Sequence, residues 1–81
     1  MTEREVGAKL TKIFRDVFDD DTIVLSRKTT ADDIDDWDSL EHIRLIGAVE
    51  RAFGVKFTMR EVSGMKNVGE MVDIILERST L

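Results

Sequence analysis

The 81 residues contain no cysteine and no proline, 42% hydrophobic and 36% charged residues, and a formal net charge of −5. Without cysteine the chain has no disulfide framework, thiolate metal site or cysteine nucleophile. The absence of proline, with five glycines, favours a mostly helical chain over a turn-rich β fold. Met1-Thr2-Glu3-Arg4-Glu5 leads into no apolar stretch of the signal-peptide kind, and no apolar run is long enough to span a bilayer. A cytoplasmic, monomeric protein formed of one domain over 1–81 is the expectation.

The charge is unevenly placed. From Asp16 to Ile43 ten acidic residues face only Arg27 and Lys28, a local balance of 2 − 10 = −8 that leaves +3 for the rest. That field repels nucleic acid backbones and anionic membrane surfaces and favours partners with basic surfaces.

Thr2 to Phe18 reads as a first helix. Val6, Leu10, Ile13, Phe14 and Val17 recur at spacings of three and four, Thr2 is a suitable N-cap, and Glu3 and Glu5 suit the positive helix start. Three consecutive aspartates, Asp19-Asp20-Asp21, oppose the negative helix end and stop it. Asp19 to Trp37 shows neither helical nor strand period, so it is expected as an extended loop anchored by Ile23, Leu25, Ile34 and Trp37. Structureless loops of this length are uncommon in compact domains and are usually either functional or disordered.

Asp38 to Phe53 is the second helix, with Asp38 as cap and Gly54 at its end. Leu40, Ile43, Ile46, Val49 and Phe53 form its predicted core stripe, widened by Leu45 and Ala52. Gly47 costs such a helix about 1 kcal/mol against alanine, which suggests close approach of another backbone or a space beside it. Val55-Lys56-Phe57 is a short link. Thr58 with Glu61 makes a capping box for a brief helix through Val62 that Ser63-Gly64 ends, and Asn67 with Glu70 opens a last helix ending near Arg78. The expected fold is all-α: a small four-helix bundle, three main helices plus a short third, with a long loop between helices 1 and 2.

Ser39 stands where the acidic loop meets the second helix. Its hydroxyl is either an ordinary part of a capped helix start or an attachment point, since a phosphate is favoured at the positive end of a helix. A small hydrolase using Ser39 and His42, three apart on one helix, lacks both a Gly-x-Ser-x-Gly elbow and a glycine-rich oxyanion loop. The alternating carboxylates Asp33, Asp35, Asp36 and Asp38 fail the EF-hand pattern, because Arg44 stands where the closing glutamate belongs. No dedicated metal site is expected, only weak divalent binding that relieves repulsion.

Asp38-Ser39-Leu40 at a helix start, Phe53-Gly54-Val55 downstream, a short third helix and Val68-Gly69-Glu70 opening the fourth together resemble the acyl carrier protein family over essentially the whole chain. The resemblance implies a non-catalytic carrier. A phosphopantetheinyl transferase attaches a 4′-phosphopantetheine arm from coenzyme A to Ser39. The arm's thiol then carries acyl intermediates for fatty-acid, polyketide or specialised lipid biosynthesis. An aminoacyl or peptidyl carrier is the alternative. By the same resemblance Asp38 orients the site and Leu40 packs inward to fix the turn. Trp37, Glu41, His42, Arg44 and Glu50 dock acyl-loading and acyl-using enzymes through their basic patches. Arg44 and Arg51 stand where the family often has acids, and Asp36-Trp37 precedes Asp38-Ser39 where the common fatty-acid carrier has small residues. Both differences suggest a specialised member. An acyl chain is expected to lodge near Ile43, Ile46 and Gly47, with Ile74 or Ile75.

Overall fold

A computed structural model describes residues 2–79. Helix α1 spans Glu3–Phe18, α2 Ser39–Phe53, α3 Met59–Gly64 and α4 Val68–Arg78, with a single 3-10 turn at Ala31–Asp33 in the long connection. No strand occurs among the described residues, in agreement with an all-helical expectation. Helix α1 is the hub, packing on both α2 and α4.

Each helix starts where a short polar side chain can take up an amide that the helix leaves unpaired. The Thr2 hydroxyl accepts from Glu5 N, Asp38 Oδ1 from Glu41 N, Thr58 Oγ1 from Glu61 N and Asn67 Oδ1 from Glu70 N. At Thr2 and Thr58 the glutamate three residues on returns the bond to the cap's own amide, closing a capping box. Glu70 departs from that pattern and accepts from Lys66 N instead. Helix α1 ends at Asp19, which takes up a left-handed conformation (φ 50°) and donates its amide to Arg15 O. Helix α2 ends at Gly54, φ 66°, the backbone region glycine enters without steric cost.

The core is one cluster: Val6, Leu10, Phe14 and Phe18 from α1, Ile23 from the loop, Leu45, Ile46, Val49 and Phe53 from α2, Val55 from the link, and Val68, Met71, Val72 and Ile75 from α4. Ile13 and Val17, expected in the stripe of α1, lie at its half-buried margin. The buried stripe of α2 is turned from the expected one. Leu40 is 68% exposed and Ile43 66%. Leu45, Ile46, Val49 and Phe53 are centred about half a helical turn from Leu40, so packing them on α1 turns Leu40 to solvent. The inward packing expected of Leu40 is therefore corrected.

Of the two readings of Gly47, the structure has the space beside it. A Cβ there would meet only Arg51 Nη1, at an ordinary 3.6 Å, so no backbone crosses it. The close approach is at Gly69, where a Cβ would stand 3.0 Å from Arg27 O. Gly69 N donates to Arg27 O and Val68 N to Thr29 O, both at 2.9 Å, tying the start of α4 to the long loop.

That loop is closely wired. Arg15 Nε donates to Ile23 O, Asp20 Oδ1 accepts from the amide and hydroxyl of Thr22, and Asp33 Oδ2 accepts from the amide of Thr30. The bonds from Thr22, side chain first, hold the Asp20 carboxyl below its ordinary pKa. Arg27 bridges Glu3 of α1 and Asp73 of α4, and both pairings raise its pKa further.

Candidate functional site: Ser39 and the cleft beside it

The loop delivers Trp37 to the core before Asp38 starts α2. Its half-buried indole meets the Phe14 ring edge-on at 5.2 Å and the Phe18 ring at 6.1 Å. Trp37 Nε1 donates to His42 Nδ1 at 3.0 Å, and His42 Nε2 lies 3.1 Å from Val62 O. Accepting at Nδ1 assigns the imidazole proton to Nε2, which donates to the carbonyl. One indole and one imidazole thus join the loop, the first turn of α2 and helix α3.

The expected docking residues fall into three settings. Trp37 and His42, both expected to dock partners, are half-buried and bonded to each other. Glu50 Oε2 accepts from Phe57 N at 2.8 Å and thereby holds the α2–α3 link. Glu41 has a side chain only 21% exposed and pairs with Arg44, whose own side chain is 63% exposed. Among the four charged residues of α2, the arginines are the exposed ones.

Ser39 is the first residue of α2, exposed, with Asp38 beside it in extended conformation as the cap. Asp38 uses its carboxylate on Glu41 N and its carbonyl on His42 N. Among the described residues the amides of Ser39 and Leu40 have no protein acceptor. The free hydroxyl and two free amides therefore share the positive end of a four-turn helix.

The serine opens onto a cleft of about 410 Å3. Its walls are Ala31 and Trp37 from the loop, Asp38 from the cap of α2, Ser39, His42 and Ile43 from α2 itself, and Met59, Val62 and Ser63 from α3. Met65, Lys66 and Asn67 line it from the next link, and Met71 from α4. Ile46 and Ile75, expected to border a chain-binding face, are instead 6% and 0% exposed in the core. The cleft lies on the α3 side of α2. Met59, Val62 and Met65 belong to this lining, and their spacing of three is a legible sign of one face.

His42 is turned to Trp37 and Val62, away from any role as base to Ser39. No three His, Asp or Glu residues among those described lie together as a metal site. No helix among them is long and apolar enough to cross a membrane. The geometry defines a helical bundle with an exposed hydroxyl at the start of α2 and an imidazole committed elsewhere.

Comparison with known proteins agrees. Residues 8–75 match the family described as phosphopantetheine attachment site. No curated protein matches the sequence. Among solved structures, the solution structure of holo acyl carrier protein from Geobacter metallireducens is similar at 48% identity. It covers 90% of this chain and 84% of that one, with a TM-score of 0.85. The chain belongs to the acyl carrier protein family. It is a non-catalytic carrier of covalent 4′-phosphopantetheine and the substrate of a phosphopantetheinyl transferase.

Proposed function

We propose that Ser39 is the attachment point, that Asp38 holds the helix start beneath it, and that the cargo is an acyl group of a specialised biosynthetic pathway. The observation that carries this reading is the exposed Ser39 hydroxyl at the uncapped amides of α2, on the rim of the cleft. The chemistry suits a phosphodiester: the Ser39 and Leu40 amides at the helix start have no protein acceptor, and Lys66 is the one cation among the residues lining the cleft. When bound, the arm supplies the thiol that holds the acyl group as a thioester. The protein's own residues do the rest. Asp38 and the first turn of α2 orient the phosphate. Ile43, Met59, Val62 and Met65 offer apolar surface to a chain entering the cleft, and methionine adapts to chains of different shape.

The test is to load the protein from octanoyl-coenzyme A with a broad-specificity transferase and compare amide NMR shifts with the unloaded form. Changes should concentrate at Ile43, Val62 and Met65. Changes confined to Ser39 and its immediate neighbours would remove the cleft from the account. Treatment with hydroxylamine should release the acyl group and leave the arm, as a thioester requires.

A further inference from the structure

A phosphodiester on Ser39 is one more negative charge in an already negative neighbourhood. The stretch from Asp16 to Ile43 has a balance of −8, and Asp35, Asp36 and Asp38 are exposed just ahead of the serine. The Ser39 and Leu40 amides answer part of that charge, but the end of a helix supplies only about half an elementary charge. A full cation within reach of the serine completes the balance. Lys66 is the one cation lining the cleft onto which Ser39 opens.

The setting of Lys66 suits it to that task. It lies between Met65, the C-cap of α3, and Asn67, the N-cap of α4. Its own amide donates to Glu70 Oε2, and the amides of Val68 and Gly69 hold the start of α4 to the long loop. The stem therefore rises from an anchored backbone. The side chain is exposed, and among the described residues its ammonium group makes no hydrogen bond or ion pair. The one anion in the cleft lining, Asp38, has its carboxylate engaged on Glu41 N. Lys9 is already occupied by Ala52 O and the Phe53 ring, and Lys12, Lys28 and Lys56 do not line the cleft. A compact charge on a flexible stem can meet a phosphate that arrives after folding.

We propose that Lys66 is the counter-ion of the phosphodiester on Ser39, and that the pair forms only when the serine is modified. Modification then adds an electrostatic tie from the α3–α4 link to the start of α2 that the unmodified chain lacks. The proposal rests on the reading of Ser39 as the attachment point.

The test is trace acetylation of the lysines by an N-hydroxysuccinimide ester, followed residue by residue by mass spectrometry in the unmodified and phosphopantetheine-bearing whole chain. The free amine is the nucleophile, and a neighbouring phosphate holds Lys66 as the ammonium ion. At low salt Lys66 should label about 1.5- to 5-fold more slowly in the modified chain, the range that one exposed ion pair gives. Lys12, Lys28 and Lys56 serve as internal references and should keep their rates. Raising the salt should bring the Lys66 ratio toward unity. Ser39→Ala treated with the same transferase should label as the unmodified chain does. A Lys66 ratio within about 1.2-fold of unity at low salt overturns the proposal. So does equal slowing of the reference lysines, or a slowing that salt leaves unchanged, which would be steric cover by the arm. If the folded wild type gains no arm, or the arm maps away from Ser39, the attachment reading fails and the proposal with it. An arm on Ser39 with Lys66 labelling unaltered overturns the proposal alone.

Discussion

The bond between Trp37 Nε1 and His42 Nδ1 is the most exposed point of the account to experiment, because it fixes three walls of the cleft at once. Trp37→Phe keeps an aromatic ring against Phe14 and Phe18 but removes the donor. The lost hydrogen bond is worth about 0.5–1.5 kcal/mol. The smaller ring gives up some half-buried apolar area, roughly another 0.5–1 kcal/mol at the usual transfer coefficient. The sum, about 1–2.5 kcal/mol, corresponds to a melting temperature lower by roughly 5–15 °C for a domain of this size. His42→Ala removes the same bond from the other side, together with the bond to Val62 O. The double variant should therefore be less destabilised than the two single effects added, by about 1 kcal/mol of coupling. Urea unfolding followed by circular dichroism measures all four corners, since Trp37 is the only tryptophan and fluorescence is lost with it. Hydrogen exchange at the α3 amides should quicken in each variant as that wall loosens. Single effects that add to within about 0.3 kcal/mol would show that the two rings do not act as one link, and the geometry of the cleft would need another explanation.

Other consequences follow from the same packing. Gly69→Ala drives a methyl to 3.0 Å from Arg27 O and should cost about 1–3 kcal/mol by overpacking. Gly7→Ala, which meets nothing within 4 Å in the middle of α1, should gain about 0.5–1 kcal/mol; paired melting curves separate the two. Leu40→Ser should change stability by no more than about 0.5 kcal/mol because the side chain is in solvent, and a loss of several kcal/mol by urea titration would restore the inward packing. Glu61 is held to a pKa of about 2, first by its hydrogen bonds from Arg78 and next by that from Thr58 N, against an ordinary 4.5. Its depressed value stabilises the fold fully above pH 4.5, and the contribution is lost as pH falls from there toward about 2. Urea midpoints across that window should fall less steeply for Glu61→Gln than for the wild type.

Much of this arrangement is written in local patterns. A cap needs only a side chain and an amide two or three residues on, so Thr2, Asp38, Thr58 and Asn67 mark their helices from sequence alone. The left-handed end at Gly54 is local in the same sense. The phase of α2 is not. Its apolar residues cover so much of the circumference that periodicity admits several stripes, and contact with α1 chooses the one that leaves Leu40 and Ile43 outside. Gly47 and Gly69 look alike in sequence; only the path of the loop, which brings Arg27 O against α4, distinguishes them. The same path turns Trp37 and His42 from candidate surface residues into a bonded pair, whereas the link after α2 sets Phe57 N on Glu50. The short 3-10 turn held by Thr30 and Asp33 repeats in small the threonine-acid spacing of α3, in a stretch without helical period. At the site, Ser39 and Asp38 were legible because a helix start is local. Met65, Lys66 and Asn67 join it only through the fold.

The central claim is that Ser39 carries the arm. Wild type, Ser39→Ala and Ser63→Ala should each be incubated with coenzyme A, Mg2+ and a broad-specificity transferase and weighed intact, Ser63 being the other serine that lines the cleft. Wild type and Ser63→Ala should each gain the mass of a single phosphopantetheine, and Ser39→Ala none. An addition that persists in Ser39→Ala, or that disappears in a folded Ser63→Ala, would contradict the assignment.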